Sequence, residues 1–430
     1  MVFEPLATMS FQKDLTRLAA AAGLGAGIMY FLSTELGVGP ASARSDSRTF
    51  STSQKRSTAD LEKLLSQTLP QSSCPSAVSV VKNIPIYDCS KLDITSLPTR
   101  ETLTTEFYNM LLHGPGVLVL KNMYRDHALL DEANSVFSSI IASERASSPT
   151  KGDHFSAGAT NSRIWNSFSK HGLSSPSSFV KYYSNPFLSL ISESYLGPAY
   201  RITTQLNIVH PSGPAQTCHR DYHLGFQTAA DVARWPRAMH VASQLLTLQG
   251  AVAHTDMPLL SGPTRLLPFS QLLEDGFMCY RDEEFQKLFL DRYVALPLEK
   301  GDGLFFNPAL FHAAGENRTT DFDRSANLVQ VSSVFGKTME SVDAVPLVEG
   351  CWRELTGKVE REGVSEEVRC FVKAVAEGYP FPTNLDRRPP APGGMAPESE
   401  QSLLFRGLEE RWDTERIVAE LKKMREDSKA

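Results

Sequence analysis

The segment from residue 201 to residue 335 constrains the fold of this chain more than any other part. Short apolar runs alternate there with turn residues such as Gly, Pro, Asp and Asn. This alternation predicts many short β-strands joined by turns. Helical patterns lie before and after this segment, and we expect those helices to pack on the outside of the β structure.

His219 and Asp221 lie inside this β segment and are separated by one residue. If the segment is extended, both side chains leave the same face, because successive strand side chains point to opposite sides. A third ligand from a distant strand would complete two histidines and one carboxylate, a set that leaves metal positions open in non-haem iron(II) oxygenases. His312, which follows an apolar strand, is the candidate for that third ligand.

A second interpretation takes His219 and His223 as an i, i+4 pair on a helix, the spacing that zinc peptidases use. Three features of the sequence favour the extended interpretation. The preceding stretch 202–210 is rich in Ile, Thr and Val, turn residues follow at 211–214, and no Glu follows His219 to act as a base. A short His-x-Asp also occurs by chance as two polar residues at a strand end, so the metal site remains a hypothesis at this point.

Further motifs resemble the phytanoyl-CoA dioxygenase family in order and spacing. They are His219-Arg220-Asp221, Ala253-His254-Thr255-Asp256, Ser261-Gly262-Pro263-Thr264-Arg265-Leu266-Leu267-Pro268, Gly301-Asp302-Gly303-Leu304-Phe305-Phe306, His312, Asn317-Arg318 and Arg324. The resemblance covers about 202–335 and extends more weakly back to about residue 101. Phe269-Ser270-Gln271 stand where the family usually has Gly-Ser-His, and Ala251 stands where a Trp is common. These departures concern the substrate more than the metal.

The resemblance implies a mainly β fold with flanking helices, namely a double-stranded β-helix (a cupin-like jelly roll) that binds iron(II) and 2-oxoglutarate. His219, Asp221 and His312 would be the metal ligands and the catalytic centre. Of two arginines that follow His312, Arg324 opens a predicted strand and Arg318 lies in a polar turn. Arg324 is therefore the predicted partner of the far carboxylate of 2-oxoglutarate.

The resemblance also implies a reaction class. A 2-oxoglutarate-dependent dioxygenase consumes O₂, converts 2-oxoglutarate into succinate and CO₂, and by default hydroxylates a bound substrate, with ascorbate as a supporting reductant. We expect a small-molecule substrate of the lipid or secondary-metabolite type. The alternative is a cupin-like protein that binds a metal or ligand without turnover, which would have no need for an arginine at the start of the last strand.

The connection 222–239 follows the first two ligands directly and could cover the open face of the metal. His223, Phe226 and Trp235 are therefore candidate substrate contacts, although packing within the loop explains each of them as well. A short helix is predicted at 229–235. A second insertion, 270–292, is predicted to be largely helical.

The chain divides into three predicted parts. Residues 1–77 are interpreted as a targeting segment followed by a disordered linker rich in Ser and Thr. Residues 78–345 form the oxygenase domain, with the β-helix core at about 201–335. Residues 346–430 form a helical C-terminal extension that contains a Pro/Gly linker at 384–399.

The N-terminal segment allows several destinations. Residues 18–34 are uncharged and rich in Ala and Gly, but fall short of the ~20 apolar residues of a spanning helix. Lys13 and Arg17 before this run favour a mitochondrial presequence, and a secretory signal or a short membrane anchor is the alternative. Contact of this segment with a membrane is therefore a further expectation. The ending Ser428-Lys429-Ala430 is a weak variant of a peroxisomal signal.

Composition excludes one class of partner and indicates the state of the thiols. The formal net charge is −6, and no stripe of Lys and Arg interleaved with aromatic residues occurs, so nucleic acid is not an expected partner. The six cysteines are scattered without a Cys-x-x-Cys pair, which is typical of reduced thiols. Cys218 precedes His219 and should face away from it by strand alternation. The oligomeric state is not predicted.

Overall fold

A large mixed β-sheet lies at the centre of the structure, a computed structural model that describes residues 47–147 and 161–430. The strands of the described residues are β1 (Ser79–Val81), β2 (Ile84–Asp88), β3 (Val117–Lys121), β4 (Ser162–Ile164), β5 (Arg201–Val209), β6 (Thr247–Ala253), β7 (Arg265–Leu267), β8 (Gly303–Phe306), β9 (Phe311–Ala313) and β10 (Arg324–Ser332). Eight of them form one sheet in the order β1-β2-β3-β8-β6-β10-β5-β4. Within this sheet β2 and β3 run parallel, and the other neighbours run antiparallel.

A second, smaller layer faces this sheet. Strands β7 and β9 pair antiparallel, and isolated bridges extend the layer on both sides, at His219↔His312 and at Leu266↔Val294. Leu266 of this layer packs in one apolar cluster with Ala251 and Phe306 of the large sheet. The two layers therefore enclose a common interior, which is the arrangement expected of a double-stranded β-helix.

Side-chain alternation along β5 decides what each face of the large sheet touches. Ile202 and Leu206 point outward and are buried in the main apolar core with the helices. Gln205 and Asn207 point inward and line a cavity between the two layers. Because a one-residue shift would exchange these two sets, the pairing of β5 with β10 fixes which residues reach the interior.

Some helices share the apolar core on the outer face of the large sheet, and others pack with the smaller layer. In chain order they are α1 (Ala59–Leu65), α2 (Leu97–Leu112), α3 (His127–Ser147), α4 (Ser167–Ser174), α5 (Pro176–Tyr183), α6 (Pro186–Leu196), α7 (Ala229–Val232), α8 (Arg237–Ala242), α9 (Gly276–Cys279), α10 (Glu283–Arg292), α11 (Ala344–Glu362), α12 (Glu366–Val375), α13 (Glu400–Glu409) and α14 (Thr414–Asp427). Helices α5 and α6 follow one another with only Ser184 and Asn185 between them. Asn185 caps α6 by accepting from the backbone N–H groups of Phe187 and Leu188, and Pro186 occupies the first turn, where its missing N–H costs nothing.

The C-terminal helices pack on the same core as the other helices. The apolar stripe of α13 and α14, together with the residue between them, is buried in that core: Leu404, Leu408, Trp412, Val418 and Leu421. The indole N–H of Trp352 in α11 donates to the carbonyl oxygen of Trp412 at 2.8 Å, which ties the last helices to α11. No helix or long strand forms in the Pro/Gly segment at 384–398.

The N-terminal linker is ordered in its described part, so the prediction of disorder through residue 77 was wrong from residue 47 onward. Leu61 of α1 is fully buried in an apolar cluster with Cys218 and Leu267. Arg56 forms an ion pair with Asp275 at 2.9 Å. Because Ser and Thr are abundant in this stretch, the short leucine pattern of α1 was not recognised. These leucines pack against the rest of the domain.

The compact unit that contains the sheet spans residues 49–430. The apolar run at 18–34 and the proposed presequence lie outside the described residues. Across 47–147 and 161–430, no helix has the length and apolar character needed to cross a bilayer.

Candidate metal centre

The three predicted ligands lie together where the small layer meets the inner face of the large sheet. His312 is in β9, and His219 is in the extended segment beside it, with His219 N–H donating to His312 O at 2.9 Å and His312 N–H donating to His219 O at 3.1 Å. The backbone N–H of Asp221 donates to Pro308 O at 2.9 Å. The segment is therefore extended, and the interpretation of His219 and His223 as a helical pair is excluded.

The ligand atoms have the spacing of a metal site. Potential ligand atoms of His219, Asp221 and His312 all lie within 4.8 Å of one another. Oδ2 of Asp221 lies 3.8 Å from Nε2 of His219 and 3.5 Å from Nε2 of His312. First-row metals bind such N and O atoms at about 2.0–2.2 Å, so a small inward movement of the side chains brings the three atoms onto one ion.

Backbone carbonyls fix the tautomers of both histidines. Nδ1 of His219 lies 2.9 Å from the carbonyl oxygen of Thr217, and Nδ1 of His312 lies 2.8 Å from that of Leu310. A carbonyl oxygen only accepts, so each Nδ1 carries the proton and each neutral ring keeps its lone pair on Nε2. Both Nε2 atoms face Asp221. The hydrogen bond from each Nδ1 to a backbone carbonyl is the outer hydrogen bond that metal-bound histidines typically show.

Asp221 is held in its ionised form. Burial raises its pKa, but the opposing effect of His219 and His312 and a hydrogen bond from Gln249 together keep the pKa below its usual range. Burial lowers the pKa of His219, and the neighbouring His312 lowers it further, which favours the neutral ring. Neutral imidazole and ionised carboxylate are the forms that bind a metal.

Arg220, between two of the ligands, anchors the ligand segment to the loop after β7. Its Nη2 donates to the carbonyl oxygens of Ser270 at 2.6 Å and Leu273 at 3.1 Å. Its guanidinium carbon lies 5.0 Å from the ring centre of Phe277 and 4.9 Å from that of Phe311. Burial lowers the pKa of Arg220 to about 10. The sequence analysis assigned no role to this residue.

A cavity of about 640 Å³ opens onto the three ligands. Its walls include the inward-facing residues of β5, β6 and β10, and Arg163 and Arg281 also line it. Apolar side chains such as Val209, Ala251 and Leu328 alternate there with polar ones such as Gln205 and Gln249. Among the described residues that line the cavity, Asp221 is the only carboxylate, so its negative charge is concentrated at the metal site.

Arg324 is the first residue of β10 and reaches this cavity, whereas Arg318 does not line it. Arg324 is 6 % exposed, and burial lowers its pKa to about 10. Its hydrogen bonds are long, with Nη1 donating to the carbonyl oxygens of Ser261 at 3.4 Å and Gly315 at 3.5 Å. Arg318 is exposed and pairs with Glu316 at 2.9 Å. Of these two arginines, Arg324 is therefore the one available to a carboxylate in the cavity.

The three predicted substrate contacts have different positions. Phe226 is on the cavity wall and is half exposed. His223 lies beside the ring of Tyr222 with 4.0 Å between ring centres, and its Nε2 is 3.2 Å from Oγ1 of Thr247. Neither His223 nor Trp235 is among the described residues that line the cavity, and their role as substrate contacts stays a prediction. The indole N–H of Trp235 is instead bonded within the loop, to Oε1 of Gln227 at 3.0 Å.

Cys218 and His254 are both buried. Cys218 packs in an apolar cluster with Leu267 and Phe311, as expected from strand alternation, and burial raises its pKa. All six cysteines are free. His254 is buried in the polar part of the core, where its Nε2 is 2.9 Å from the hydroxyl of Tyr182.

Four buried amides on the cavity wall were missed by the sequence analysis: Gln205, Asn207, Gln249 and Gln330. A signal for them existed, because two of them alternate with Leu206 along a strand that is otherwise apolar and β-branched. Their common orientation, however, depends on the register between strands that are distant in the sequence.

Comparisons with known proteins match the region of the chain that contains the three ligands. The sequence model of the phytanoyl-CoA dioxygenase (PhyH) family matches residues 112–326, half of the chain, and includes all three ligands and Arg324. The dioxygenase andF of Emericella variicolor is 27% identical over 144 residues, covering 33% of this chain and 45% of the relative. The dioxygenase trt7 of Aspergillus terreus is 30% identical over 125 residues, covering 29% of this chain and 38% of the relative. Each match spans less than half of the relative's length.

Two solved structures that match part of this chain come from nogalamycin biosynthesis. One is the epimerase SnoN in complex with Fe3+, alpha-ketoglutarate and nogalamycin RO (18% identity, TM-score 0.39, covering 55% of this chain and 85% of that chain). Another is the alpha-ketoglutarate-dependent carbocyclase SnoK (17% identity, TM-score 0.37, covering 54% and 83%). The family match and the ligand cluster confirm the predicted jelly-roll fold and the predicted iron and 2-oxoglutarate. The chain belongs to the phytanoyl-CoA dioxygenase family.

Proposed function

We propose that this protein is an iron(II)- and 2-oxoglutarate-dependent dioxygenase that oxidises a small molecule in the cavity, by default through hydroxylation. The family assignment supports the dioxygenase class. The observation that carries the proposal for this chain is the presence of Arg324 in the same cavity as the three ligands. A protein that only stores a metal has no need for a buried guanidinium without a carboxylate partner.

His219, Asp221 and His312 would hold the iron on one side and leave its other positions directed into the cavity. When bound, iron and 2-oxoglutarate supply an oxidation by O₂ in which 2-oxoglutarate becomes succinate and CO₂. The residues of the chain bind and orient the reactants. The carbonyls of Thr217 and Leu310 hold the proton on Nδ1 of each histidine and so direct each Nε2 towards the position of the metal.

Arg324 would bind the far carboxylate of 2-oxoglutarate. Its guanidinium is charged at neutral pH, since its pKa of about 10 remains well above 7. A planar guanidinium offers two parallel donors that match a carboxylate. The position at the start of β10, whose backbone pairs with β5 and β6, gives this side chain a rigid base.

Formation of succinate tests this proposal without knowledge of the substrate, because such enzymes turn over some 2-oxoglutarate without it. The full chain would be incubated with iron(II), ascorbate, O₂ and 2-oxoglutarate, and succinate would be quantified. We expect succinate from the wild type and none above background from His219→Ala, Asp221→Ala or His312→Ala.

The exposed His113 provides a matched control, and His113→Ala should behave as the wild type. Iron content is measured in every variant. A wild type that binds iron but forms no succinate would support the cupin-like alternative instead. Normal turnover by any one ligand variant that retains iron would remove that residue from the site.

A further inference from the structure

We propose that the substrate carries an anionic group, a carboxylate or a phosphate, and that Arg281 at the mouth of the cavity binds it. This inference rests on the proposed function, because it names the substrate class of the same site. The observation that leads to it is the charge of the cavity lining. The whole chain has a formal net charge of −6, yet the described lining contains four arginines and a single carboxylate, that of Asp221.

The charges of the lining do not balance when both reactants are bound. Iron(II) carries two positive charges, 2-oxoglutarate carries two negative charges, and the charges of Asp221 and Arg324 offset each other. The other arginines of the lining therefore add positive charge: Arg163, Arg220 and Arg281. A cleft lined by charges of one sign attracts molecules of the opposite sign, so this cavity favours an anion.

Two of these arginines are buried and engaged within the protein. Arg220 donates to two backbone carbonyl oxygens, and its guanidinium also contacts two phenylalanine rings. Arg163 is 9 % exposed, and its guanidinium carbon lies 4.9 Å from the ring centre of Trp165. Arg281, in contrast, both lines the cavity and is exposed. The proposal therefore concerns Arg281, which a ligand can reach.

Neutral groups hold the guanidinium of Arg281 in place. Its Nη2 donates to the carbonyl oxygen of Gly225 at 2.6 Å, and its Nη1 donates to that of Gln227 at 3.1 Å. These bonds use two of the five N–H groups of a guanidinium. In the part of the chain that the structure describes, no carboxylate forms an ion pair with Arg281. Its charge is therefore oriented by the protein without being neutralised.

The contact with Gly225 brings Arg281 close to the metal ligands. Gly225 packs so tightly on the ligand segment that a Cβ atom there would lie 1.9 Å from the carbonyl oxygen of Arg220. The carbonyl oxygen of Gly225 also accepts from the hydroxyl of Tyr280 at 2.6 Å. Arg281 is thus connected through a single residue to the segment that carries Asp221.

The surroundings of Arg281 indicate the rest of the substrate. Phe226 lies in the sequence between the two residues whose carbonyls hold Arg281, and its half-exposed ring lines the cavity. Met257, Phe306 and Leu328 supply further apolar surface in the lining. A volume of about 640 Å³ holds a drug-sized molecule, and such sites are typically apolar with a few placed polar groups. The molecule that fits has an apolar body in the cavity and its anionic group at the mouth.

The test compares anions with a neutral molecule of nearly the same shape. The probes are naphthalene-2-carboxylate, 2-naphthyl phosphate and naphthalene-2-carboxamide, with adamantane-1-carboxylate and its amide as a second pair. Binding to the full chain loaded with zinc(II) and saturating 2-oxoglutarate, which occupies Arg324, is measured by ligand-observed NMR and requires no turnover.

We expect a carboxylate or the phosphate to bind about tenfold more tightly than the matching amide, as one charge-assisted pair of hydrogen bonds allows. The ranking of carboxylate and phosphate identifies the anionic group. High salt should weaken the binding of the anions and leave that of the amides unchanged, because salt screens exposed charges.

Arg281→Met removes the charge at similar length and should reduce the preference for anions to about twofold or less. The affinity for the amides should stay the same, whereas a purely structural role of Arg281 would change both affinities alike. Arg281→Lys keeps the charge without the planar fork and should retain part of the preference. The matched control is Arg234→Met, at an exposed arginine of the neighbouring loop that is outside the described lining, and it should behave as the wild type.

Saturation with 2-oxoglutarate is confirmed by titration in each variant before the probes are added. Anions that bind no better than the amides, no binding by any probe, or a preference that survives in Arg281→Met would overturn the inference. Failure of the proposed function is a separate result, because it appears as the absence of succinate with iron.

Discussion

Nε2 of Gln249 lies 2.6 Å from Oδ2 of Asp221, the oxygen that is 3.5 Å from Nε2 of His312. Gln249 sits in β6 of the large sheet, whereas both candidate ligands belong to the side of the smaller layer. The hydrogen bond therefore spans the interior and fixes the orientation of the carboxylate. The second bond of the same nitrogen, to Gln330, holds the amide in place.

We predict that Gln249→Leu weakens iron binding by about 10–100-fold, the range found when a residue that orients a metal ligand is removed. The fold should persist, because leucine fills most of the same volume. An iron titration measures the effect. Gln227→Leu, in the loop outside the cavity lining, should leave the iron affinity unchanged. Equal affinities of Gln249→Leu and the wild type would show that Asp221 needs no support from β6.

His254 makes stability depend on pH. Burial lowers its pKa to about 3, and its Nδ1 is bonded to Asn134 at 2.7 Å while its Nε2 faces the hydroxyl of Tyr182. The unfolded chain binds a proton at a pKa of about 6.5 and the folded chain does not. The contribution of His254 is therefore complete above about pH 6.5 and is lost progressively as the pH falls towards 3.

We predict that the free energy of unfolding falls between pH 7 and pH 5 by about 2 kcal/mol for each such histidine. His171, whose pKa burial lowers to about 4, adds a similar effect. Urea denaturation at both pH values measures the difference. His254→Gln should reduce the loss by about 2 kcal/mol, since an amide does not titrate there. An unchanged pH dependence in this variant would mean that folding does not shift the pKa of His254.

The sequence was sufficient for the features that depend on local alternation. His219 and Asp221 share a face because they are two apart in an extended segment, and the structure has them so. Arg324 was distinguished from Arg318 by the same reasoning, because one opens a strand and the other lies in a polar turn. His312 was the candidate for the third ligand because it follows an apolar strand, and the phytanoyl-CoA dioxygenase resemblance then supported this choice and supplied the fold.

Features that depend on register or on docking could not be obtained in this way. The contact of Gln249 with Asp221 requires the position of β6 beside β10, which no local pattern specifies. The loop residues His223 and Trp235 were proposed as contacts because they follow Asp221 in sequence, but that proximity does not determine where their side chains lie, and His223 stands in a turn with φ of 40°. Leu61 looked like part of a linker because its partners are more than 150 residues away in the sequence.

The docking of α1 leads to a prediction about the N-terminus. A chain that begins at residue 49 should be stable, whereas one that begins at residue 78 should lose stability and bind iron less well. The reason is that Leu61 packs with Cys218 and Phe311, the immediate neighbours of His219 and His312. Removal of residues 49–77 exposes this apolar cluster to water. Urea denaturation and iron titration of both chains measure the two effects.

A single substitution isolates the contribution of this contact. Leu61→Ala should lower the free energy of unfolding by about 2–5 kcal/mol, as for other fully buried leucines. The matched control is Leu97→Ala at an exposed leucine, where we expect a change within about 0.5 kcal/mol. If the chain from residue 78 is as stable as the chain from residue 49, the segment contributes nothing to the fold.

Arg324 and Arg318 are the two possible partners of the far carboxylate of 2-oxoglutarate, and substitutions distinguish them. Truncating one member of a buried charge pair costs roughly 2–5 kcal/mol, which at about 1.4 kcal/mol per tenfold is some thirtyfold or more in affinity. We predict this loss for Arg324→Ala in a 2-oxoglutarate titration of succinate formation, and little change for Arg318→Ala, whose exposed side chain pairs with Glu316. Arg324→Lys should restore little, because an ammonium lacks the planar fork of donors. The opposite pattern would assign the carboxylate to Arg318.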